Sequence, residues 1–201
     1  MESFALLVGL GNPGPRYVST RHNAGFWFLE AAADKLKLEF RSEKRFHGHI
    51  AEGQWRGDKV RLLAPATYMN ESGRSVAAVA GFFRIPVERI LVAHDDIDLQ
   101  PGDVRLKVGG GHGGHNGLRD IITHLGSPDF TRLRLGVGHP GVADDVVDYV
   151  LERPGKAEEA AIEAAIQSGC EVLPEILDGD LARAMQVLHT RSKDRGSDAD
   201  G

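Results

Sequence analysis

Short apolar runs alternate with helix-spaced stretches along most of this chain, and that alternation limits its fold more than any other feature. Ala5–Gly9 (ALLVG), Val60–Ala64 (VRLLA) and Ile90–Ala93 (ILVA) are dominated by apolar residues, as strands covered on both faces are. Val104–Val108 (VRLKV) and Leu133–Val137 (LRLGV) alternate strictly, the period of a strand with two unlike faces. Between them, Phe26, Leu29, Ala33 and Leu36 recur at helical spacing, and Leu118, Ile121, Ile122 and Leu125 do so again. Ser75–Phe83 reads as an Ala/Val/Phe-rich helix stopped before Pro86. Two or three more helices are expected from Asp144 onward, with Pro174 ending or kinking one. Strands that alternate with helices imply an α/β layered sheet. No repeat or long linker divides the 201 residues, so one domain is expected over residues 1–190. The polar segment RSKDRGSDADG, Arg191 to Gly201, reads as a disordered tail.

A net charge of −5 argues at first sight against a nucleic-acid partner, but its distribution reverses the inference. Residues 1–140 carry 18 Lys and Arg against 15 Asp and Glu, whereas residues 141–201 carry 6 against 14. The acidic excess is C-terminal, where Glu158, Glu159 and Glu163 suit a solvated helix, and the front of the chain is free to carry a basic face. A single cysteine, Cys170, excludes an internal disulfide framework and fits a reducing compartment. The run from Phe4 to Leu10 is too short for a membrane span and has no basic residue before it, so a cytoplasmic protein is expected.

Gly9-Leu10-Gly11-Asn12-Pro13-Gly14 satisfies G-x-G-x-x-G directly after the first apolar run. A dinucleotide site needs that loop to open a helix, so that the pyrophosphate meets the helix N-terminus. Here Pro15-Arg16-Tyr17-Val18-Ser19-Thr20 follows, with no amphipathic period. Asn12-Pro13-Gly14 instead suits a turn. That turn leaves Asn12 at the C-terminal end of a strand, where open α/β sheets place their sites.

Thr20-Arg21-His22-Asn23 precedes the first helix, with Thr20 or Asn23 as its N-cap. The positive end of the helix would favour a neutral His22. Ile90–Ala93 runs into His94-Asp95-Asp96. A carboxylate there could hold one nitrogen of His22 and leave the other as a general base. Metal ligation by His94, Asp95 or Asp96, with His112 and His115 as a second source, is the competing reading. It is the weaker one, because H-x-x-H in a glycine loop has no fixed geometry.

Gly109–Gly117 (GGGHGGHNG) lies between a strand and a helix and would let a ligand approach the backbone closely. It lacks G-K-[ST], so nucleotide hydrolysis is not expected. Asn116 reads as the N-cap of the next helix. Arg105 and Lys107 share one strand face, and Arg132 and Arg134 share another. Paired cations of this kind suit phosphate, although a solvated sheet edge would look the same.

Taken together and in order, VGLGNPG, TRHNAG, Tyr68-Met69-Asn70-Glu71-Ser72-Gly73, HDDIDL and GGGHGGHNGLRDI resemble the motifs of bacterial peptidyl-tRNA hydrolases, over most of residues 4–190. The resemblance implies an enzyme that cleaves the ester between a peptide and the 3′ ribose of tRNA and returns the tRNA for reuse. With the alternation above, the expected fold is a single-domain three-layer α/β/α arrangement around a twisted, mixed, mostly parallel sheet.

Carried over by position, the resemblance makes His22 the general base, Asp95 its orienting carboxylate and Asn12 a third catalytic-site residue. Asn70 and Asn116 become binders of the peptide backbone, the water or the oxyanion. Met69 lies beside the reacting ester, and Tyr17 forms a wall of the cleft. Lys107 and Arg134 clamp the tRNA 5′-phosphate, and Arg105 extends that basic face. The resemblance implies no metal and no cofactor, and the expected state is a monomer whose partner is peptidyl-tRNA. Asp96 stands where glutamate is also common in the family, and Gly141–Asp145 is a segment expected to move as a lid. Two other readings stay open: a metal-dependent hydrolase, and a non-catalytic RNA-binding relative.

Overall fold

The computed structural model describes residues 3–197, with side chains as far as residue 191. The chain runs through β1 (Leu6–Gly9), α1 (Ala24–Leu36), β2 (Arg41–Glu43), β3 (Gly48–Trp55), β4 (Asp58–Pro65), α2 (Ser72–Phe83), β5 (Ile90–Asp96), β6 (Val104–Val108), α3 (Asn116–Leu125), β7 (Thr131–Gly136), α4 (Val146–Val150), α5 (Lys156–Glu171), α6 (Leu173–Leu177) and α7 (Leu181–Ser197). The seven strands form one sheet in the order β2-β3-β4-β1-β5-β7-β6. β4, β1, β5 and β7 are parallel neighbours, while β3 and β6 pair antiparallel, so five of the seven strands point the same way.

The central strands are apolar throughout because both faces are covered. Leu7 and Leu91 face a core shared with α1, α5, α6 and α7. Leu6, Val8 and Val92 face a second core, under α2 and α3. Gly25 lets α1 lie directly on the ends of two strands. A Cβ there would come 2.4 Å from the Ala93 carbonyl oxygen and 2.5 Å from the Leu10 nitrogen. This close approach brings the turn before α1 over the C-terminal ends of β1 and β5.

Some local structure departs from the sequence reading. β2 and β3 were not foreseen: RSE and GHIAEGQW are polar and glycine-containing, and the pairing of β3 with β4 and of β2 with β3 is what makes them strands. The β3–β4 hairpin turns through Arg56 and Gly57, both at positive φ (49° and 95°), without the Asn-Gly that usually marks such a turn. Among the described residues four helices, not two or three, follow Asp144, because α4 and α6 are only five residues each. Pro174 lies in the first turn of α6, where its missing N–H leaves no bond unmade. The segment expected to be disordered from Arg191 continues α7 as helix to Ser197, and residues 198–201 lie outside the described residues. No helix among the described residues is long and apolar enough to cross a membrane.

Candidate active site

A cleft of about 1130 Å³ opens over the C-terminal ends of β1, β5 and β7. No helix follows Gly14; the chain turns, forms a single 3₁₀ turn at Arg21–Asn23 and only then enters α1. That route carries His22 back over the sheet. Neither candidate cap acts through its side chain: the Thr20 hydroxyl donates to the Tyr17 carbonyl at 2.9 Å, and Asn23 is used elsewhere. Its Oδ1 accepts from the Asn12 backbone N–H at 2.9 Å, and its Nδ2 donates to the Asn12 carbonyl at 3.0 Å. Asn23 therefore clamps the turn that presents Asn12.

His22 and Asp95 meet as expected. His22 Nδ1 lies 3.0 Å from both Asp95 carboxylate oxygens. Asp95 is almost fully buried, and His115 Nε2 lies 2.8 Å from its Oδ1. His115, not Asn116, caps α3. Its Nδ1 accepts from the Gly117 and Leu118 amides at 3.1 and 3.3 Å, so its proton is on Nε2 and is donated to Asp95. His115 was legible only as half of H-x-x-H; histidine is not among the usual capping residues, so its position gave no signal.

The carboxylate thus accepts from two imidazoles, and this sets the charges. Burial alone would raise the Asp95 pKa, but the two histidines outweigh it and hold the carboxyl well below its usual range. Burial alone would lower the His22 pKa, but the Asp95 charge and hydrogen bond outweigh it and raise it. The preference for a neutral His22 expected from the helix end is therefore overridden. With Nδ1–H on Asp95, His22 Nε2 has no hydrogen-bond partner among the described residues, and His22 lines the cleft.

His94 serves differently. Its Nδ1–H donates to the Asp95 carbonyl at 2.7 Å, and its ring stands edge-on to His115 with centroids 5.1 Å apart. Burial, then the neighbouring His115, pushes its pKa down to about 4, so it stays neutral. Among the described residues, the trio able to reach one ion is His22, Asp95 and His115, with one donor atom from each within 4.8 Å of the others. It keeps Asp95 and His115 from the set that the sequence offered and takes His22 in place of His94, Asp96 and His112. With the hydrogen bonds as they stand, both imidazoles donate to Asp95, and an ion bound here would have to displace both protons.

Asn12 Oδ1 accepts from the Met69 N–H at 2.7 Å, which leaves the Asn12 amide nitrogen as its free polar end. Met69 is buried below the cleft and packs where Gly117 lacks a side chain; a Cβ on Gly117 would lie 2.6 Å from Met69 Sδ. Asn70, in the 3₁₀ turn after β4, and Asn116, the first residue of α3, are exposed and line the cleft. Tyr17 stands behind Tyr68, edge-on at 6.5 Å; Tyr68, not Tyr17, lines the cleft. Ala143, within the expected lid segment, and Val146 on α4 form part of the far wall.

The four cations divide. Antiparallel pairing sets Arg105 opposite Arg134 and Lys107 opposite Arg132, so all four point to one face. Arg132 is buried and spends its guanidinium on the carbonyls of Gly109, Gly110 and Pro128, fixing the glycine loop. Arg134 donates from Nε to Asp96 Oδ2 at 2.7 Å, which orients its guanidinium and leaves both terminal nitrogens outside that contact. Lys107 is exposed and lines the cleft with Arg134; Arg105 is exposed beyond its edge.

The family model described as peptidyl-tRNA hydrolase matches residues 6–196. The chain is 52% identical over 193 residues to a peptidyl-tRNA hydrolase of Polynucleobacter asymbioticus, covering 93% of this chain and 98% of the relative. It is 55% identical over 186 residues to one from Halorhodospira halophila, covering 92% and 96%. The crystal structure of peptidyl-tRNA hydrolase from Acinetobacter baumannii superposes with a TM-score of 0.90 at 46% identity, over 94% of this chain and 96% of that one.

Proposed function

The chain belongs to the peptidyl-tRNA hydrolase family, and from that membership we propose how its own residues cleave the ester between a peptide and the tRNA 3′ ribose. The observation that carries the reading is the His22 Nδ1–Asp95 contact, which leaves Nε2 unpartnered at the cleft. His22 Nε2 takes a proton from water as the water oxygen bonds to the ester carbonyl carbon. The carbonyl electrons move onto oxygen. The C–O bond to the ribose then breaks, and the 3′ oxygen leaves with the proton that His22 returns. Asp95 stays ionised and stabilises the transient imidazolium.

Asn12, Asn70 and Asn116 supply neutral amides for the oxyanion and for the peptide backbone; one such donor is worth about 10²–10³ in rate. Selection by a peptide amide also spares free aminoacyl-tRNA, whose α-ammonium lacks that geometry. Met69 borders the ester, with Tyr17 supporting Tyr68 at the rim. Lys107 and Arg134 hold the 5′-phosphate, and Arg105 adds to their field. The enzyme acts as a monomer in the cytoplasm.

The test is hydrolysis of an N-acetyl-aminoacyl-tRNA in excess EDTA, with free aminoacyl-tRNA alongside. Cleavage of the first and survival of the second is the expected result. Activity that returns only with divalent metal would replace this mechanism with ligation by His22, Asp95 and His115. Binding without cleavage would leave an RNA-binding relative.

A further inference from the structure

Sheet order lays the site out as a line. Lys107 belongs to β6, Arg134 to β7, Asp95 to β5, and Asn12 follows β1. Passing from β6 through β7 and β5 to β1 moves from the cations to the reacting centre. The next strands are β4 and β3, and over their ends lies a second cavity of about 560 Å³. Tyr68 lines both cavities, so the cleft continues past it. Pro13, next to Asn12, and Lys44, His47 and Arg74 also line the second cavity.

A peptidyl-tRNA has two arms joined at one ester. If the RNA arm lies toward β7 and β6, the peptide arm leaves on the opposite side, toward β4. From this we infer that the cavity behind Tyr68 is a subsite for peptide residues upstream of the esterified one, with a preference for acidic side chains there. The inference rests on the assignment of the 5′-phosphate to Lys107 and Arg134. The distances agree: neighbouring strands are about 4.8 Å apart and an extended residue spans about 3.3 Å. Two to four upstream residues therefore suffice to carry the chain from β1 into the cavity.

The charge preference follows from the lining. Glu43 faces Arg45, at 3.5 Å between Oε1 and Nε, and is partly offset by it. Lys44 and Arg74 have no ion-pair partner among the described residues. The lining itself holds Lys44 and Arg74 against Glu43 and Glu71, and Arg45, paired with Glu43 from outside the lining, tips the local balance by one positive charge. Thr67, also in the lining, holds its hydroxyl oxygen buried and without a hydrogen-bond partner among the described residues, a group suited to a peptide amide.

The experiment compares kcat/KM for N-acetyl-aminoacyl-tRNA with that for a tetrapeptidyl-tRNA ending in the same residue. The tetrapeptide carries either Asp or Lys at its second and third upstream positions. The wild type is expected to favour the Asp peptide over the acetyl substrate by about fivefold or more, and the Lys peptide by less. Lys44→Ala with Arg74→Ala should bring the Asp-to-Lys ratio to about one. The conservative pair Lys44→Arg with Arg74→Lys should restore it.

A ratio is read because general damage to the fold lowers all substrates together and leaves it unchanged. If the wild type shows no charge preference, or the double alanine variant keeps one, the subsite is wrong. If the variant weakens all three substrates equally and flattens the salt dependence, these cations hold RNA, which also overturns it. Failure of the underlying assignment reads differently: Lys107→Ala would then leave the preference for a 5′-phosphate intact.

Discussion

His22 and Lys107 stand at two ends of one cleft and are held in opposite ways. His22 is half-buried beside a carboxylate that two imidazoles grip, and each contact is directional and shielded from solvent. Lys107 is exposed on the sheet surface and acts as a charge more than as a fixed contact. The first end works by geometry, because a base must point one lone pair at one proton. The second works by field, because a phosphate is attracted from any nearby position, and salt screens that field. Mutation, pH and salt should therefore separate the two ends.

The largest break is His22→Ala. It should lower kcat by about 10²–10⁴ while KM changes little, because the alanine removes the base and none of the RNA contacts. Single-turnover rates with bound N-acetyl-aminoacyl-tRNA check this, and near-normal turnover would remove His22 from the mechanism. Asp95→Asn follows, at about 10²-fold or more in kcat, since an amide does not fix the imidazole tautomer as a carboxylate does.

The sign of its pH effect is determined. Only neutral His22 is a base, so wild-type kcat/KM should fall as pH drops through a pKa raised above 6.5. Without the Asp95 charge, burial is left to lower that pKa, and the acid limb of the variant should move to lower pH. A limb that stays in place would mean that another group sets it.

The two ends also differed in how well the sequence revealed them. His22, Asp95 and Asn12 were legible because each sits where a recognisable strand or helix begins or ends. Their family motifs then joined segments that the chain keeps far apart. The partners that fix them were not legible. Asn23 does stand at the N-cap position of α1, but its side chain clamps Asn12 and caps nothing. His115 reads as a loop histidine and is both cap and second donor to Asp95.

At the cation end, alternation placed Arg132 and Arg134 on one face correctly. It said nothing of what each bonds, and only the loop carbonyls on Arg132 and the Asp96 carboxylate on Arg134 distinguish the buried clamp from the half-buried hand. The polar strands β2 and β3 were missed for the related reason that their pairing partner, not their own pattern, makes them strands.

A smaller break tests the field. Lys107→Ala and Arg134→Ala should each raise KM by about tenfold at low salt and leave kcat near its wild-type value. Each lost phosphate contact should also flatten the slope of log KM against log salt by about 0.7–0.9. Removing the 5′-phosphate from the tRNA should erase the difference between variant and wild type. If both variants still discriminate the phosphate, the clamp lies elsewhere.

Arg105→Ala sets the smallest effect and sharpens the comparison most. Arg105 sits directly opposite Arg134 in the β6–β7 register, so its charge is near the phosphate site, but it does not line the cleft. An exposed charge outside direct contact is worth little once salt screens it. The variant should raise KM by about twofold at low salt and by nothing measurable at physiological ionic strength. A tenfold effect that persists in salt would mean that Arg105 touches the phosphate. The boundary between contact and field would then lie one residue pair further out along β6 than the cleft suggests.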